Sequence, residues 1–214
     1  MESIILFDPV IGSLNKGDEI IMQSAEYELE RMGEIRAKWN LQGKIAVGHV
    51  GRFVYPKNHS YILNIADYTQ KHNPNVQFIL IGDGPMFKEV QQRAETLQLH
   101  NIIFAEPSDE VEKWMQAFDI FILPSNFEGL PVVGIESQAA GLPCLFSENI
   151  SHQVQINENA EFLPIMMEKI PDWYENIIRM SALGEKRSKF SLQAMKSDFN
   201  IKNNAQQLKD LYQL

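Results

Sequence analysis

The sequence predicts an α/β fold, one doubly wound parallel sheet followed by a helical C-terminal tail. Three observations carry this expectation. From residue 43 onward short apolar runs alternate with stretches of helical length, the signature of strands joined by crossover helices. The runs Gln-Phe-Ile-Leu-Ile ending at Ile81 and Ile-Phe-Ile-Leu ending at Leu123 are nearly unbroken in apolar character, as strands covered on both faces must be. The length of 214 residues with 44% hydrophobic content supplies one good core rather than two.

Taken in order, strands are expected at Ile45 to Gly51, Val76 to Ile81, Ile102 to Ala105, Ile120 to Leu123 and Pro143 to Ser147, with a short sixth at Glu161 to Leu163. Helices are expected between them, near Ser60 to His72, Pro85 to Leu97, Val111 to Ala117 and Pro131 to Ala140. Residues 43–170 thus form the main domain. Residues 1–42 read as a β-α extension, a strand at Ile4 to Phe7 and a charged amphipathic helix from about Glu19 to Trp39. Residues 171–214 read as helices packing on the domain, from the spacing of Trp173, Ile177 and Ile178 and then of Phe199, Leu208 and Leu211.

A formal charge of −9 argues against nucleic acid as a partner, because neutralising phosphates along a duplex needs a net basic face. The lone cysteine, Cys144, lies in an apolar run with no charged neighbour to lower its pKa, so it reads as a buried, inert thiol in a reducing compartment. No apolar run is long enough to span a membrane, and the first residues lack the basic start and cleavage site of a signal peptide, so a cytoplasmic location is expected. Association with a membrane surface through a partner stays open.

Two loops concentrate the chemistry. After the strand ending at Leu123 comes Pro124-Ser-Asn-Phe-Glu-Gly-Leu-Pro131, then a helix holding Glu136. Pro131 suits a first helical turn, so Gly129 and Leu130 offer backbone N–H groups at a positive helix end, a ready anion site. Glu128 at the mouth and Glu136 within the helix are carboxylates able to accept from vicinal hydroxyls on either side of a diphosphate; alone, Glu136 reads equally well as a solvated helix residue and Glu128 as a partner of the dipole at the helix N-terminus. After the first strand, Gly51, Arg52 and Lys57 place a guanidinium and an ammonium at a strand's carboxyl end, where open α/β sheets bind ligands. Arg52 matches a diphosphate by fork geometry and Lys57 as a point charge. His49 reads as strand packing. No His, Asp and Glu grouping has metal-ligand spacing, and a full Gly-x-Gly-x-x-Gly fingerprint is absent, so neither a metal nor a dinucleotide cofactor is expected.

In combination these pieces resemble family 4 (group 1) retaining glycosyltransferases, above all bacterial capsular and exopolysaccharide enzymes. The resemblance rests on Gly51-Arg52 with Lys57-Asn58, Ile81-Gly-Asp-Gly-Pro85, Asp119-Ile-Phe-Ile-Leu-Pro-Ser125, the seven-residue interval between Glu128 and Glu136, and Ser137-Gln-Ala-Ala-Gly-Leu-Pro-Cys144. It spans about residues 31–214 and implies the Rossmann-like, donor-binding half of a two-domain enzyme. It further implies that Arg52 and Lys57 hold a donor diphosphate, that the amides of Gly129, Leu130 and the Pro131 turn receive the distal phosphate, that Glu128 contacts the transferred sugar, and that Glu136 contacts the ribose. Arg52, Lys57 and Glu128 are then the catalytic candidates, and the substrate is a nucleoside-diphosphate sugar, a UDP-sugar favoured, with no bound cofactor.

The sequence departs from that family at Phe104-Ala105-Glu106, where a Phe-x-Gly turn usually meets the base. It also has only about 40 residues where an acceptor-binding domain is expected, so a partner chain or a homo-oligomer is implied. The opening Phe7 to Glu19 is faintly similar to polysaccharide pyruvyl transferases, and no site follows from it. Two alternatives remain at this stage: a non-catalytic donor-binding or regulatory subunit, and a relative of sugar-nucleotide epimerases.

Overall fold

The computed structural model describes residues 33–108 and 111–194. Within them a six-stranded, wholly parallel sheet has the order β3-β2-β1-β4-β5-β6. The strands are β1 (Ile45–Val50), β2 (Val76–Ile81), β3 (Ile102–Ala105), β4 (Ile120–Leu123), β5 (Cys144–Ser147) and β6 (Ala160–Leu163). Helices α1 (His59–His72), α2 (Phe87–Thr96), α3 (Val111–Ala117), α4 (Val132–Ala139), α5 (Ile170–Ser181) and α6 (Arg187–Ala194) connect and follow them. The expected strand at Ile4 to Phe7, most of the helix from Glu19, and the apolar positions Phe199, Leu208 and Leu211 lie outside the described residues.

Alternation along each strand feeds two cores. In β4, Ile120 and Ile122 face the layer built from α1, α2 and α5, with Tyr61, Ile62, Ile65, Val90, Trp173 and Ile177. Phe121 and Leu123 face the opposite layer, with Trp114, Met115 and Phe118 from the α3 region, and with Leu41. Every residue of β2 and β4 is buried, which is why those segments read as continuous apolar runs. The Ile170–Ser181 helix, which the sequence places at the start of the tail, contributes Ile170, Trp173, Ile177 and Met180 to the first of these cores.

Residues 33–42 are tied to the sheet. The Arg36 guanidinium donates to the carbonyls of Ala117 (2.7 Å), Leu41 (2.9 Å) and Lys44 (2.7 Å) and to the Asp119 carboxylate (3.2 Å). The same Asp119 oxygen accepts from the N–H of Ala46 at 2.7 Å. The end of the segment read as an extension therefore anchors beneath β1 and β4.

Strand order reverses between β1 and β4. Their ladder pairs only Val47 with Ile120 and Gly48 with Phe121, whereas β1 and β2 pair over six residues. Beyond Gly48 that ladder ends, at the carboxyl ends of the two strands, the position where doubly wound sheets take ligands in a crevice.

Candidate functional site

The two chemical loops meet across this crevice. After β1 the chain makes a short 3-10 turn over Tyr55–Lys57, closed by Asn58 in the left-handed conformation at φ 52°. The Asn58 side chain donates to the carbonyl of Pro124 at 3.1 Å. In return Asn126 donates from its backbone to Pro56 (2.7 Å) and from its side chain to Tyr55 (2.8 Å). These bonds stitch the loop after β1 to the loop after β4.

The loop after β2 supports them from the other side. Gly51 donates to Ile81, Phe53 to Asp83 and Met86 to Phe53, at 3.0, 2.6 and 3.1 Å. This backbone-on-backbone packing requires the two glycines of Ile81-Gly-Asp-Gly-Pro85. Gly82 and Gly84 have φ of +142° and +149°, and a Cβ on either would lie 2.2 Å from the Gly51 oxygen or 2.5 Å from the Phe53 oxygen. The motif, expected as a strand-to-helix turn, also shapes the loop that carries Arg52 and Lys57.

Lys57 and Glu128, 71 residues apart in sequence, form the centre of the site. The Lys57 ammonium donates to both Glu128 oxygens at 2.9 Å, with side chains 16% and 15% exposed. The hydroxyl of Ser125, a fully buried residue, donates to Glu128 Oε1 at 2.5 Å. The Lys57 stem lies over Gly51, where a Cβ would come within 3.1 Å of it. Arg52 is exposed, and its guanidinium has no partner among the described residues.

Gly129 and Leu130 are exposed, and their N–H groups meet no acceptor among the described residues. Helix α4 begins at Val132, so Pro131 occupies its N-cap instead of its first turn. Its φ of −73° with ψ of 107° is extended, a geometry that the fixed proline ring accepts without strain. The free amides still precede a helix N-terminus and lie in its positive field. Glu136 is the fifth residue of α4, about 6 Å along the axis from Val132. It is half-buried, bonds to neither Lys57 nor Glu128, and its carboxyl pKa is raised by burial and then by the nearby Glu112 carboxylate. The structure thus joins Gly51, Lys57 and Glu128 directly, sets Arg52, Gly129 and Leu130 on the rim, and holds Glu136 one helical step away.

The sequence leaves Ser125, Tyr55, Phe127 and His59 unassigned, and His49 reads there as strand packing. Ser125 stands three residues before Glu128, a Ser-x-x-Glu spacing whose short loop signalled the contact. Tyr55 and Phe127, 67% and 56% exposed with ring centroids 6.4 Å apart, rim the crevice. Below the loop His49 and His59 meet edge to face at 4.9 Å, and His59 stacks on Phe53 at 3.8 Å. His49 Nδ1 lies 3.0 Å from the carbonyl of Ile122, bridging β1 to β4 where their ladder has ended. A carbonyl only accepts, so Nδ1 carries the proton and the buried Nε2, which has no partner, does not. Burial lowers the His49 pKa to about 4, aided by the Lys57 charge against the raising effect of the Ile122 carbonyl. Burial, then His49 and Lys57, take His59 down to about 2. Both imidazoles are neutral supports near neutral pH.

Elsewhere, Phe104 packs toward Phe53 and Phe87 in the core while Glu106 is exposed. Burial pushes the Cys144 thiol up to about 12, in keeping with an inert residue. Among the described residues there is no cluster of three metal-ligating side chains, and no helix long and apolar enough to cross a membrane.

A doubly wound parallel sheet with cations and open amides at its switch point is built like the α/β domains that take ligands in that crevice. The chain belongs to the glycosyl transferases group 1 family, whose model matches residues 32–197. It is 34% identical over 148 residues to the putative glycosyltransferase EpsF of Bacillus subtilis, covering 69% of this chain and 38% of that protein. It is 42% identical over 100 residues to the Vi polysaccharide biosynthesis protein VipC/TviE of Salmonella typhi, covering 46% of this chain and 17% of that one. The chain therefore spans well under half the length of these relatives. Among solved structures, Anabaena Alr3699/HepE in complex with UDP and glucose superposes with a TM-score of 0.72 at 19% identity, covering 86% of this chain and 52% of that one. The C-terminal domain of the group 1 protein LpcC from Francisella tularensis does so at 0.62 and 23% identity, covering 74% and 88%.

Proposed function

We propose that this chain binds a nucleoside-diphosphate sugar, a UDP-sugar in preference, and serves as the donor half of a retaining glycosyltransferase in capsular or exopolysaccharide synthesis. The observation that carries the reading is the meeting of Lys57 and Glu128 at the switch point, beside the uncommitted Arg52 and the open amides of Gly129 and Leu130. Arg52 and Lys57 neutralise the diphosphate, and those amides with the α4 N-terminus receive its distal phosphate. Glu128 accepts from the sugar and Glu136 from the ribose. As the bond from the anomeric carbon to the phosphate oxygen breaks, its electron pair passes to the diphosphate. An acceptor hydroxyl oxygen bonds to that carbon on the same face, and its proton passes to the departing phosphate oxygen. These fixed cations and dipoles stabilise the charge that develops there.

The family membership, the glycosyltransferase relative EpsF and the Vi polysaccharide biosynthesis relative support this reading, as does the UDP and glucose in the HepE structure. The acceptor is presented by a further domain, a partner chain or a second copy, on the cytoplasmic side, with any membrane contact made through that partner. Calorimetric titration with UDP, GDP and their common sugar conjugates tests the proposal. Micromolar to millimolar binding of one nucleotide series is expected, and no binding to any contradicts it. Product analysis after incubation with UDP-N-acetylglucosamine separates transfer from epimerisation, and binding without turnover in the presence of partners would mark a regulatory subunit.

A further inference from the structure

We infer that Glu128 is a stand-in anion for Lys57, released at least cost by a sugar-bearing donor, so that the crevice favours the intact conjugate over bare nucleoside diphosphate. The inference rests on the donor reading above and adds a discrimination to it. Glu128 receives two bonds from Lys57 at 2.9 Å and one from the buried Ser125 hydroxyl at 2.5 Å. Both partners of the ion pair are largely withdrawn from water, at 16% and 15% exposure. An arriving diphosphate draws the ammonium toward itself. Glu128 then keeps only Ser125, as a carboxylate poorly served by water and set beside new negative charge, which is the costly way to break such a pair.

A sugar carried on the same diphosphate repairs this loss, because its hydroxyls donate to the oxygen sites that Lys57 vacates. A bare nucleoside diphosphate brings no hydroxyl to that side. Arg52, with no partner among the described residues, welcomes both ligands alike and does not discriminate. Ser125 is the positioning residue of this exchange, holding the carboxylate while the ammonium shifts. Once the sugar has left, re-formation of the Lys57–Glu128 pair competes with the remaining diphosphate and favours its departure.

The test is titration of the wild type, Glu128→Gln and Ser125→Ala with UDP and UDP-glucose, and with GDP and GDP-mannose, each variant first checked by thermal melting. The wild type is expected to prefer the conjugate. Glu128→Gln removes the competing charge, so it tightens bare nucleotide and narrows the preference by about tenfold, the scale of one charge-assisted bond. Ser125→Ala has the opposite sign: it leaves a released Glu128 with no donor, weakening bare nucleotide more than conjugate and widening the preference. Nucleotide affinity and preference untouched by Glu128→Gln, or a shift of the same sign in both variants, overturns the inference. Should Glu128→Gln not fold, equal losses on both ligands in Ser125→Ala overturn it alone. Failure of the wild type to bind either series removes the donor reading itself, and this inference with it.

Discussion

At the residue scale the site separates groups that are already engaged from groups that are not. Arg52 makes no bond among the described residues, so Arg52→Ala has little to lose in the fold. It is expected to weaken nucleotide binding about 10-fold to 100-fold by titration, with an unchanged melting temperature. Glu136→Ala is expected to cost less, because the contact proposed for it is with the ribose and not with charge. His49 and His59 make a different prediction. Their folded pKa values, about 4 and about 2, lie below the ordinary 6.5, so between pH 6.5 and 4 the unfolded chain binds more protons. Stability therefore falls as pH drops through that window, by about 1.4 kcal/mol per pH unit for each histidine. Urea midpoints of the wild type measured from pH 7 to 4.5 are expected to fall more steeply than those of His59→Phe, and parallel curves would contradict the assignment. That Arg52, Lys57, Glu128 and Gly129 stand at strand carboxyl ends was legible in the sequence, because glycine, proline and apolar runs mark those ends locally. The Lys57 to Glu128 contact was not, since nothing local sets which residues meet across 71 positions.

At the element scale the three loops around the crevice form one unit. Gly82 and Gly84 let the loop after β2 run against the backbone of Gly51 and Phe53, and α2 follows directly. Gly84→Ala adds a Cβ at a φ of +149° and into Phe53, a strain and overlap worth about 2–4 kcal/mol. It is expected to lower the melting temperature and to weaken nucleotide binding together, by moving the loop that carries Arg52 and Lys57. On the opposite layer Gln138 of α4 donates to Gly134 and Val154 and accepts from Ile156 and Asn157, fixing the helix whose N-terminus faces the crevice. Between Ile45 and Leu163 the strands and main helices were legible to within one or two residues, because burial on both faces makes continuous apolar runs. The exception, Pro131 at the N-cap, arises because a proline ring fits the extended cap as well as the first turn.

For the whole molecule, alternating strands and helices foretold a parallel sheet but not its order, which depends on where the chain reverses after β3. That reversal makes the crevice. The helix α5 completes the layer over the sheet, with Trp173 fully buried and its ring N–H bonded to Pro164 at 2.9 Å. Trp173→Ala is expected to destabilise the domain by about 3–5 kcal/mol in denaturant titrations while leaving the crevice residues in place.

The central claim is that a nucleoside diphosphate occupies the crevice between the ends of β1 and β4, and amide chemical-shift mapping of the labelled chain with UDP and with GDP tests it directly. One of them is expected to shift the signals of residues 51–58 and 125–133 most, with smaller changes at the supporting Gly82 to Gly84 turn. Shifts concentrated away from those loops, for example along α5 and β6, with the switch-point residues unmoved, would contradict it.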